Sequence, residues 1–249
     1  MVGSAAAVLA CAGVVESAIS TSRSPACERL SAMTDLTLYD YAASANCLKA
    51  RILLAQLDRP YRRVAVDIFA GDTAAPEYRR RNPLGRTPVL ELADGSAIAE
   101  SGAILLYLAE GTDLLPADPV ARAHVHQWLF VEQNDVEPNL GRARFWLLTG
   151  RDQLSPEVYA NCLARAEAAI DGLEAHLVGR EWVAGDRYTV ADLALWAYVH
   201  LAGDLDVDLG ARPAVSAWIE RVQATPGFVD DLEPYPENAL PGRGSRPER

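Results

Sequence analysis

Cysteine is sparse in this chain, and its spacing suits neither covalent cross-links nor metal binding. The four residues, Cys11, Cys27, Cys47 and Cys162, lie far apart and form no CxxC pair or Cys/His cluster. This spacing suggests neither a disulfide framework nor a zinc site. We therefore predict a protein of a reducing compartment, the cytoplasm, with no metal.

Positive charge and long apolar runs are also lacking. Lys and Arg number 23 against 34 Asp and Glu, for a formal net charge of -11, whereas phosphate binding needs clustered cations. The apolar run at residues 5–15 is too short to span a bilayer, and no Lys or Arg precedes it as in a secretory signal. We expect no nucleic-acid or membrane partner, and interpret residues 1–34 as a disordered leader or an over-extended start ahead of Met33.

The first half of the chain, residues 35–113, has the pattern of a compact α/β domain. Strand formers alternate with polar residues in its strands, and one helix carries an apolar stripe from Ala50 to Leu57. The order strand, helix, strand favours a parallel pair, and the turn at residues 93–96 favours a hairpin. The predicted strands are 36–41, 61–68, 88–92 and 97–99, and the predicted helices are 46–57 and 101–110.

The second half, residues 119–232, has helical spacing throughout and predicts a helical bundle. A linker containing Pro116 and Pro119 precedes it. Thr189 and Asp192 form a capping-box pattern at the start of one helix, to which we assign a structural role. Residues 233–249 are rich in Pro, Gly and Arg, which predicts a disordered tail.

One motif at a helix start is suited to an anion. Ser44 to Cys47 (SANC) joins the first strand to the first helix, where backbone N–H groups and the helix dipole favour negative charge such as a thiolate. The alternatives are that Ser44 only caps the helix and that Cys47 is a buried apolar residue.

Two further motifs are suited to a peptide-like ligand. Pro88 begins a strand although it donates no ladder hydrogen bond, which favours a cis bond that turns the backbone of Thr87 outward. An edge-strand proline is the alternative. Glu100 and Ser101 begin the next helix, where one could bind an ammonium and the other a carboxylate; a simple cap by Ser101 is the alternative.

Together these motifs resemble the glutathione transferase family. The runs SANCLKAR, NPLGRTPVLEL, ESGAILLYL and YTVADLAL occur in family order, and the likeness extends from about Leu36 to about Leu232. The resemblance implies an α/β thioredoxin-like N-terminal domain, an all-α helical-bundle C-terminal domain and a homodimer. It is closest to the Ser-dependent theta-like and bacterial members.

The resemblance also implies roles for individual residues. Ser44 would donate its hydroxyl to the glutathione sulfur. Thr87 would pair its backbone with the cysteinyl residue ahead of cis-Pro88, and Arg86 would bind the glycyl carboxylate with its forked donors. Glu100 and Ser101 would hold the γ-glutamyl ammonium and carboxylate. Glutathione is then the co-substrate, and no cofactor is tightly bound.

Two positions depart from the family pattern. Gly102 stands where many relatives have a polar residue, and Asp40 stands where Tyr-dependent classes keep their phenol. For a small electrophilic substrate, we predict walls from the first long helix of the bundle; packing is the alternative for each residue. These walls are Trp128, Glu132, Asn139, Arg142, Phe145 and Trp146.

The predicted activity is conjugation of glutathione thiolate to an electrophile. A glutathione-dependent disulfide reductase, thioltransferase or peroxidase is an alternative, in which Cys47 would form a mixed disulfide. A non-catalytic binding or assembly module is an alternative of another class. The sequence does not identify the electrophile, because many substrates share one fold and glutathione site.

Overall fold

The computed structural model describes residues 36–243. The predicted leader at residues 1–34 lies outside the described residues, and so does the tail beyond residue 243. Within residues 36–243, no helix is long and apolar enough to cross a lipid bilayer.

The first domain is a small mixed sheet flanked by helices. Its elements are β1 (Leu36–Asp40), α1 (Ala45–Gln56), β2 (Tyr61–Ala65), α2 (Pro76–Arg81), β3 (Val89–Glu91), β4 (Ala97–Ala99) and α3 (Ser101–Ala109). The strand order is β2-β1-β3-β4. The β1–β2 pair is parallel and β3–β4 is an antiparallel hairpin, as the sequence predicts, and β1 pairs antiparallel with β3.

Two details of this domain differ from the sequence prediction. Strand β2 ends at Ala65 rather than at Ile68, because the Asp67 carboxylate accepts from the N–H groups of Phe69 and Ala70 at 2.8 and 3.0 Å and turns the chain. Helix α2 was not expected. Its basic residues lie in its last turn, where the helix dipole favours cations.

The second domain is helical. Its elements are α4 (Pro119–Val131), a π-helical segment (Glu132–Gly141), α5 (Arg142–Leu148), α6 (Pro156–Leu177), α7 (Val190–Val199) and α8 (Pro213–Gln223). The sequence predicted one continuous helix over residues 120–148, and the π segment is the difference. It contains Pro138, whose ring removes an N–H from the helical ladder.

The predicted capping box begins helix α7, which is buried along its whole length. The Thr189 hydroxyl accepts from the N–H of Ala191 at 3.3 Å, and the Thr189 N–H donates to Asp192 at 3.0 Å. Asp192 also accepts from the Val183 N–H at 2.9 Å and the Trp218 indole at 3.0 Å. This carboxylate therefore joins three segments of the second domain.

Residues 233–243 are packed, in contrast to the disordered tail predicted for 233–249. Asn238 donates to Asp67 at 2.7 Å, and Arg151 donates to the carbonyl of Ala239 at 2.5 Å. Ala239 is buried, and the ring of Tyr235 packs edge-on against Phe145 with centroids 5.5 Å apart. The prediction of disorder rested on the average Pro, Gly and Arg content of residues 233–249. That average gives no weight to the few residues that anchor residues 233–243, so the prediction is wrong for this part. We call residues 233–243 the C-terminal strap.

Candidate functional site

Two adjoining cavities lie at the N-termini of α1 and α3, against the π segment and α5. The polar cavity has a volume of about 210 Å³, and the aromatic cavity has a volume of about 490 Å³. The predicted residues Arg86, Thr87, Pro88, Glu100 and Ser101 all line the polar cavity. Ser44 lines the aromatic cavity, and both cavities share Asn46, Arg86, Thr87, Glu137 and Arg142.

The loop before β3 holds Arg86 and Thr87 at the cavity edge. The Tyr78 hydroxyl and the Asn82 amide donate to the Arg86 carbonyl at 2.8 and 2.9 Å. Gly85 has φ +60°, and a Cβ there would lie 2.8 Å from the Thr73 carbonyl oxygen, so glycine is required. The Thr87-Pro88 bond is cis, as the sequence predicts.

Ser44 caps α1 and also lines the aromatic cavity. Its hydroxyl accepts from the Cys47 N–H at 3.4 Å. The Cys47 side chain is fully buried, and burial raises the pKa of its thiol to about 12 despite hydrogen bonds from Tyr41, Thr87 and Ser44. Cys47 is therefore inaccessible and protonated, as the buried alternative for this residue predicted, and only Ser44 is available to a ligand.

Asn46 is a site residue that sequence reasoning missed. Its Oδ1 accepts from Lys49 Nζ at 2.8 Å and from Ser101 Oγ at 3.2 Å. Because an ammonium can only donate, these contacts fix the orientation of the amide and leave its NH₂ group as the side that can donate to a ligand. Asn46 belongs to the SANC motif, so its position at the helix start was visible in the sequence. Its contact with Ser101 was not, because the two residues are 55 positions apart.

Glu100 has a strained backbone at the start of α3. Its φ is +70° and its ψ is 122°, a conformation that non-glycine residues rarely adopt and that costs about 1–3 kcal/mol. Such strain is concentrated at ligand sites. Glu100 is exposed and Ser101 is buried, so a carboxylate and a hydroxyl lie side by side at the helix terminus.

The polar cavity is balanced in charge. Two arginines, Arg86 and Arg142, and two glutamates, Glu100 and Glu137, line it. Burial raises the pKa of the Glu137 carboxyl, and the charges of Lys49, Arg142 and Arg86 oppose that shift. Among residues 36–243, neither arginine has a carboxylate oxygen within 4.0 Å, so both guanidinium groups can meet a ligand.

Three of the six predicted second-substrate residues, Arg142, Phe145 and Trp146, line the aromatic cavity. The other three do not. Trp128 packs on His176 with ring centroids 4.5 Å apart, Glu132 pairs with Lys49 at 2.7 Å, and the amide of buried Asn139 donates to the Asp135 carbonyl at 2.7 Å. The wider turn of the π segment shifts the helical phase, so a regular α-helical spacing selects the wrong face.

The aromatic cavity also has phenolic walls that were not predicted, namely Tyr41, Tyr198 and Tyr235. Tyr198 approaches the π segment closely because residue 141 is glycine, where a Cβ would lie 2.7 Å from its ring. Tyr235 comes from the C-terminal strap, which the sequence pattern did not place in the fold. Burial raises the pKa of Tyr41, Tyr198 and Tyr235, so all three stay protonated hydrogen-bond donors at neutral pH.

The site is not arranged for a metal ion. Within the described part of the chain, no group of three or more His, Cys, Asp and Glu side chains is positioned to hold one.

Sequence and structure comparisons assign the family. The model for the glutathione S-transferase N-terminal domain matches residues 34–110, and the model for the C-terminal domain matches residues 156–221. The chain is 36% identical to a maleylacetoacetate isomerase of Rhizobium meliloti (strain 1021), over 83% of this chain and 99% of that protein. The chain belongs to the glutathione S-transferase family.

Other relatives carry different activities in their names. Glutathione S-transferase 3 of Zea mays is 33% identical over 82% of this chain and 96% of its own. The disulfide-bond oxidoreductase YfcG of Escherichia coli (strain K12) is 31% identical over 75% of this chain and 89% of its own. The family therefore includes more than one reaction.

Solved structures confirm the predicted fold class, a thioredoxin-like domain followed by a helical domain. A glutathione S-transferase from Pseudomonas fluorescens Pf-5 has a TM-score of 0.77 and 40% identity, covering 80% of this chain and 99% of its own. A glutathione transferase from Burkholderia graminis has a TM-score of 0.70 and 28% identity, covering 80% of this chain and 88% of its own. The latter structure contains two glutathione molecules per subunit.

Proposed function

We propose that this chain binds glutathione across the two cavities and transfers its thiolate to a small electrophile. The observation that carries the proposal is the polar cavity, where two cations and two carboxylates lie beside the N-terminus of α3. Glutathione presents one ammonium, two carboxylates and two amides. A balanced cavity at a helix N-terminus suits that pattern.

The peptide part of glutathione would be held by the residues of the polar cavity. Arg86 binds the glycyl carboxylate with its forked donors. Glu100 binds the γ-glutamyl ammonium, and Ser101 with the N-terminus of α3 binds the adjacent carboxylate. The backbone of Thr87 pairs with the cysteinyl residue, which directs the sulfur toward Ser44 in the aromatic cavity.

The Ser44 hydroxyl and the Asn46 amide would donate to the sulfur. A free thiol has a pKa of about 8.5, so only about 3% is ionised at pH 7. One charge-assisted hydrogen bond, worth about 1.5–3 kcal/mol, lowers that pKa by about one to two units. The thiol proton leaves to solvent, and the thiolate attacks an electrophilic carbon. An S–C bond forms as the leaving group departs with its electron pair.

Disulfide reduction through Cys47 is disfavoured by its geometry. The thiol is fully buried and its pKa is raised, whereas exchange requires an accessible thiolate. Glutathione bound beside Ser44 could still reduce a disulfide. It could also isomerise a double bond, when its sulfur adds to one carbon of that bond and is later eliminated. A panel of chloronitrobenzenes, epoxides, hydroperoxides, glutathione disulfides and unsaturated acids separates these reactions.

Glutathione binding is tested by calorimetry on matched variants. We expect binding in the wild type, and we expect Arg86→Ala and Ser101→Ala each to weaken it about tenfold, since each removes a charge-assisted contact. Arg187→Ala is the control, because Arg187 is exposed and pairs with its neighbour Asp186 at the domain linker. No binding at millimolar glutathione in the wild type would refute the proposal.

A further inference from the structure

One guanidinium that lines both cavities, that of Arg142, is not yet assigned to any group of glutathione. Arg86 is assigned to the glycyl carboxylate, and Arg144 already pairs with Asp204 at 2.6 Å. Arg142 is exposed, lines both cavities, and has no carboxylate oxygen within 4.0 Å among residues 36–243. An unpaired arginine at a cavity rim is a ready partner for an anion.

Arg142 shares a helix face with the aromatic wall. It begins α5, and Phe145 and Trp146 follow at i+3 and i+4, the spacings that place side chains on one face. All three line the aromatic cavity. A planar ligand lying on the two rings would therefore place a substituent at the guanidinium.

A second, independent observation indicates an oxygen-bearing ligand. The Tyr41 side chain is 7% exposed, and its hydroxyl has no hydrogen-bond partner within the described residues. A buried polar group without a partner is uncommon and costs free energy until a partner arrives. Tyr41 lines the aromatic cavity and faces Tyr235 of the strap, with ring centroids 6.4 Å apart.

The aromatic cavity is cationic although the whole chain is acidic. Three arginines and one glutamate line it, for a formal charge of +2, whereas the chain carries -11. Arg144 pairs with Asp204 and Arg86 is assigned to glutathione, which leaves Arg142 and Glu137; these two have opposite charges but lie more than 4.0 Å apart, so the Arg142 guanidinium keeps free donors. A cavity lined by one guanidinium with free donors, protonated phenols and aromatic rings suits a ligand that is unsaturated and carries acceptor oxygens.

We propose that the second substrate is an aromatic or unsaturated electrophile that carries a carboxylate, and that Arg142 binds this carboxylate. The proposal rests on the function proposed above. It defines the substrate class by charge, and it makes Arg142 a specificity-determining residue that the thiolate chemistry itself does not require.

The test uses two glutathione conjugates that differ in one carboxylate: S-benzylglutathione and S-(4-carboxybenzyl)glutathione. Calorimetry measures the binding of both conjugates to the wild type, to Arg142→Ala and to the control Arg187→Ala. We expect Arg142→Ala to lower the affinity for the carboxybenzyl conjugate about five- to tenfold. The affinity for the benzyl conjugate should fall less than about twofold. Arg187→Ala should change the affinity for neither conjugate. The preference of the wild type for the carboxybenzyl conjugate should be smaller at high salt than at low salt.

The possible failures are distinct. Equal weakening of both conjugates by Arg142→Ala would mean that Arg142 holds glutathione itself, and unchanged binding of both would mean that it contacts neither; each result overturns the proposal. If the wild type binds both conjugates and free glutathione, the proposed function stands whatever Arg142 does. If it binds none of them, the proposed function fails, and this inference fails with it.

Discussion

The only lysine in the sequence, Lys49, is buried in an ion pair that joins the two domains. Lys49 lies on α1, and its Nζ is 2.7 Å from Glu132 Oε1 on the π segment. Their side chains are 1% and 2% exposed. The same ammonium donates to Asn46 at 2.8 Å, so the pair also supports the candidate site.

Removing one partner of this pair leaves a charge in the protein interior. Glu132→Gln is expected to reduce the free energy of unfolding by about 3–5 kcal/mol, because the Lys49 ammonium keeps its desolvation cost but loses its counter-ion. Lys49→Met should cost a similar amount. The double variant Lys49→Met/Glu132→Leu buries no charge, so it should recover to within about 1 kcal/mol of the wild type or exceed it.

Urea denaturation at pH 7, followed by tryptophan fluorescence, measures these differences. The matched control removes an exposed pair: Arg187 and Asp186 are 3.6 Å apart and 60% and 92% exposed. Arg187→Ala should cost less than about 1 kcal/mol. A loss below about 1 kcal/mol in Glu132→Gln, or a double variant as unstable as the sum of the two single ones, would show that the buried pair does not stabilise the fold in this way.

Three further predictions concern a thiol, the strap and the assembly. Because the pKa of Cys47 is raised from 9.0 to about 12 in the fold, its contribution to stability is complete below pH 9 and is lost as the pH rises toward 12. Cys47→Ala should flatten that alkaline loss in denaturation curves, and an unchanged slope contradicts the assignment. Truncation after residue 234 removes Tyr235 and should raise the KM for the electrophile while the affinity for glutathione stays within about twofold; an unchanged KM would exclude the strap from the substrate wall. Light scattering should give a homodimer of the 26.9 kDa chain, as the family resemblance implies, and a monomer mass at micromolar concentration would contradict it.

The sequence predicted most of the fold because the relevant signals are local. Alternating and helical apolar spacing, together with the cap at Thr189, located the strands and most helices to within a few residues. The strap and the π segment were missed for opposite reasons. The strap is held by a few side chains, such as Tyr235, within a segment of loop-like composition, and the π segment keeps a helical composition while it changes the helical phase.

The cavity residues that lie at helix starts or near Pro88 were easier to predict than the phenols of the aromatic cavity. Ser44 and Ser101 lie at helix starts, and Arg86 lies two residues before Pro88, positions that the local sequence marks. Asn46 depends on a contact with Ser101 across 55 positions, and the phenols of the second cavity come from distant segments. Such long-range contacts have no signal in a single sequence.

The proposed mechanism requires that Ser44, and not Cys47, lowers the pKa of the glutathione thiol. Ultraviolet absorbance of the thiolate, titrated against pH with glutathione bound, measures that pKa directly. Ser44→Ala, Ser44→Thr and Cys47→Ala are compared with the wild type, and Ser44→Thr keeps the hydroxyl as a matched control. Calorimetry confirms that glutathione is bound in each variant.

Ser44→Ala is expected to raise the pKa of the bound thiol by about one to two units and to lower turnover about tenfold near neutral pH. Ser44→Thr should keep the thiol pKa close to its wild-type value, because it keeps the hydroxyl. Cys47→Ala should leave the thiol pKa unchanged. An unchanged thiol pKa in Ser44→Ala, or activity lost only in Cys47→Ala, would contradict the account and favour thiol exchange through Cys47.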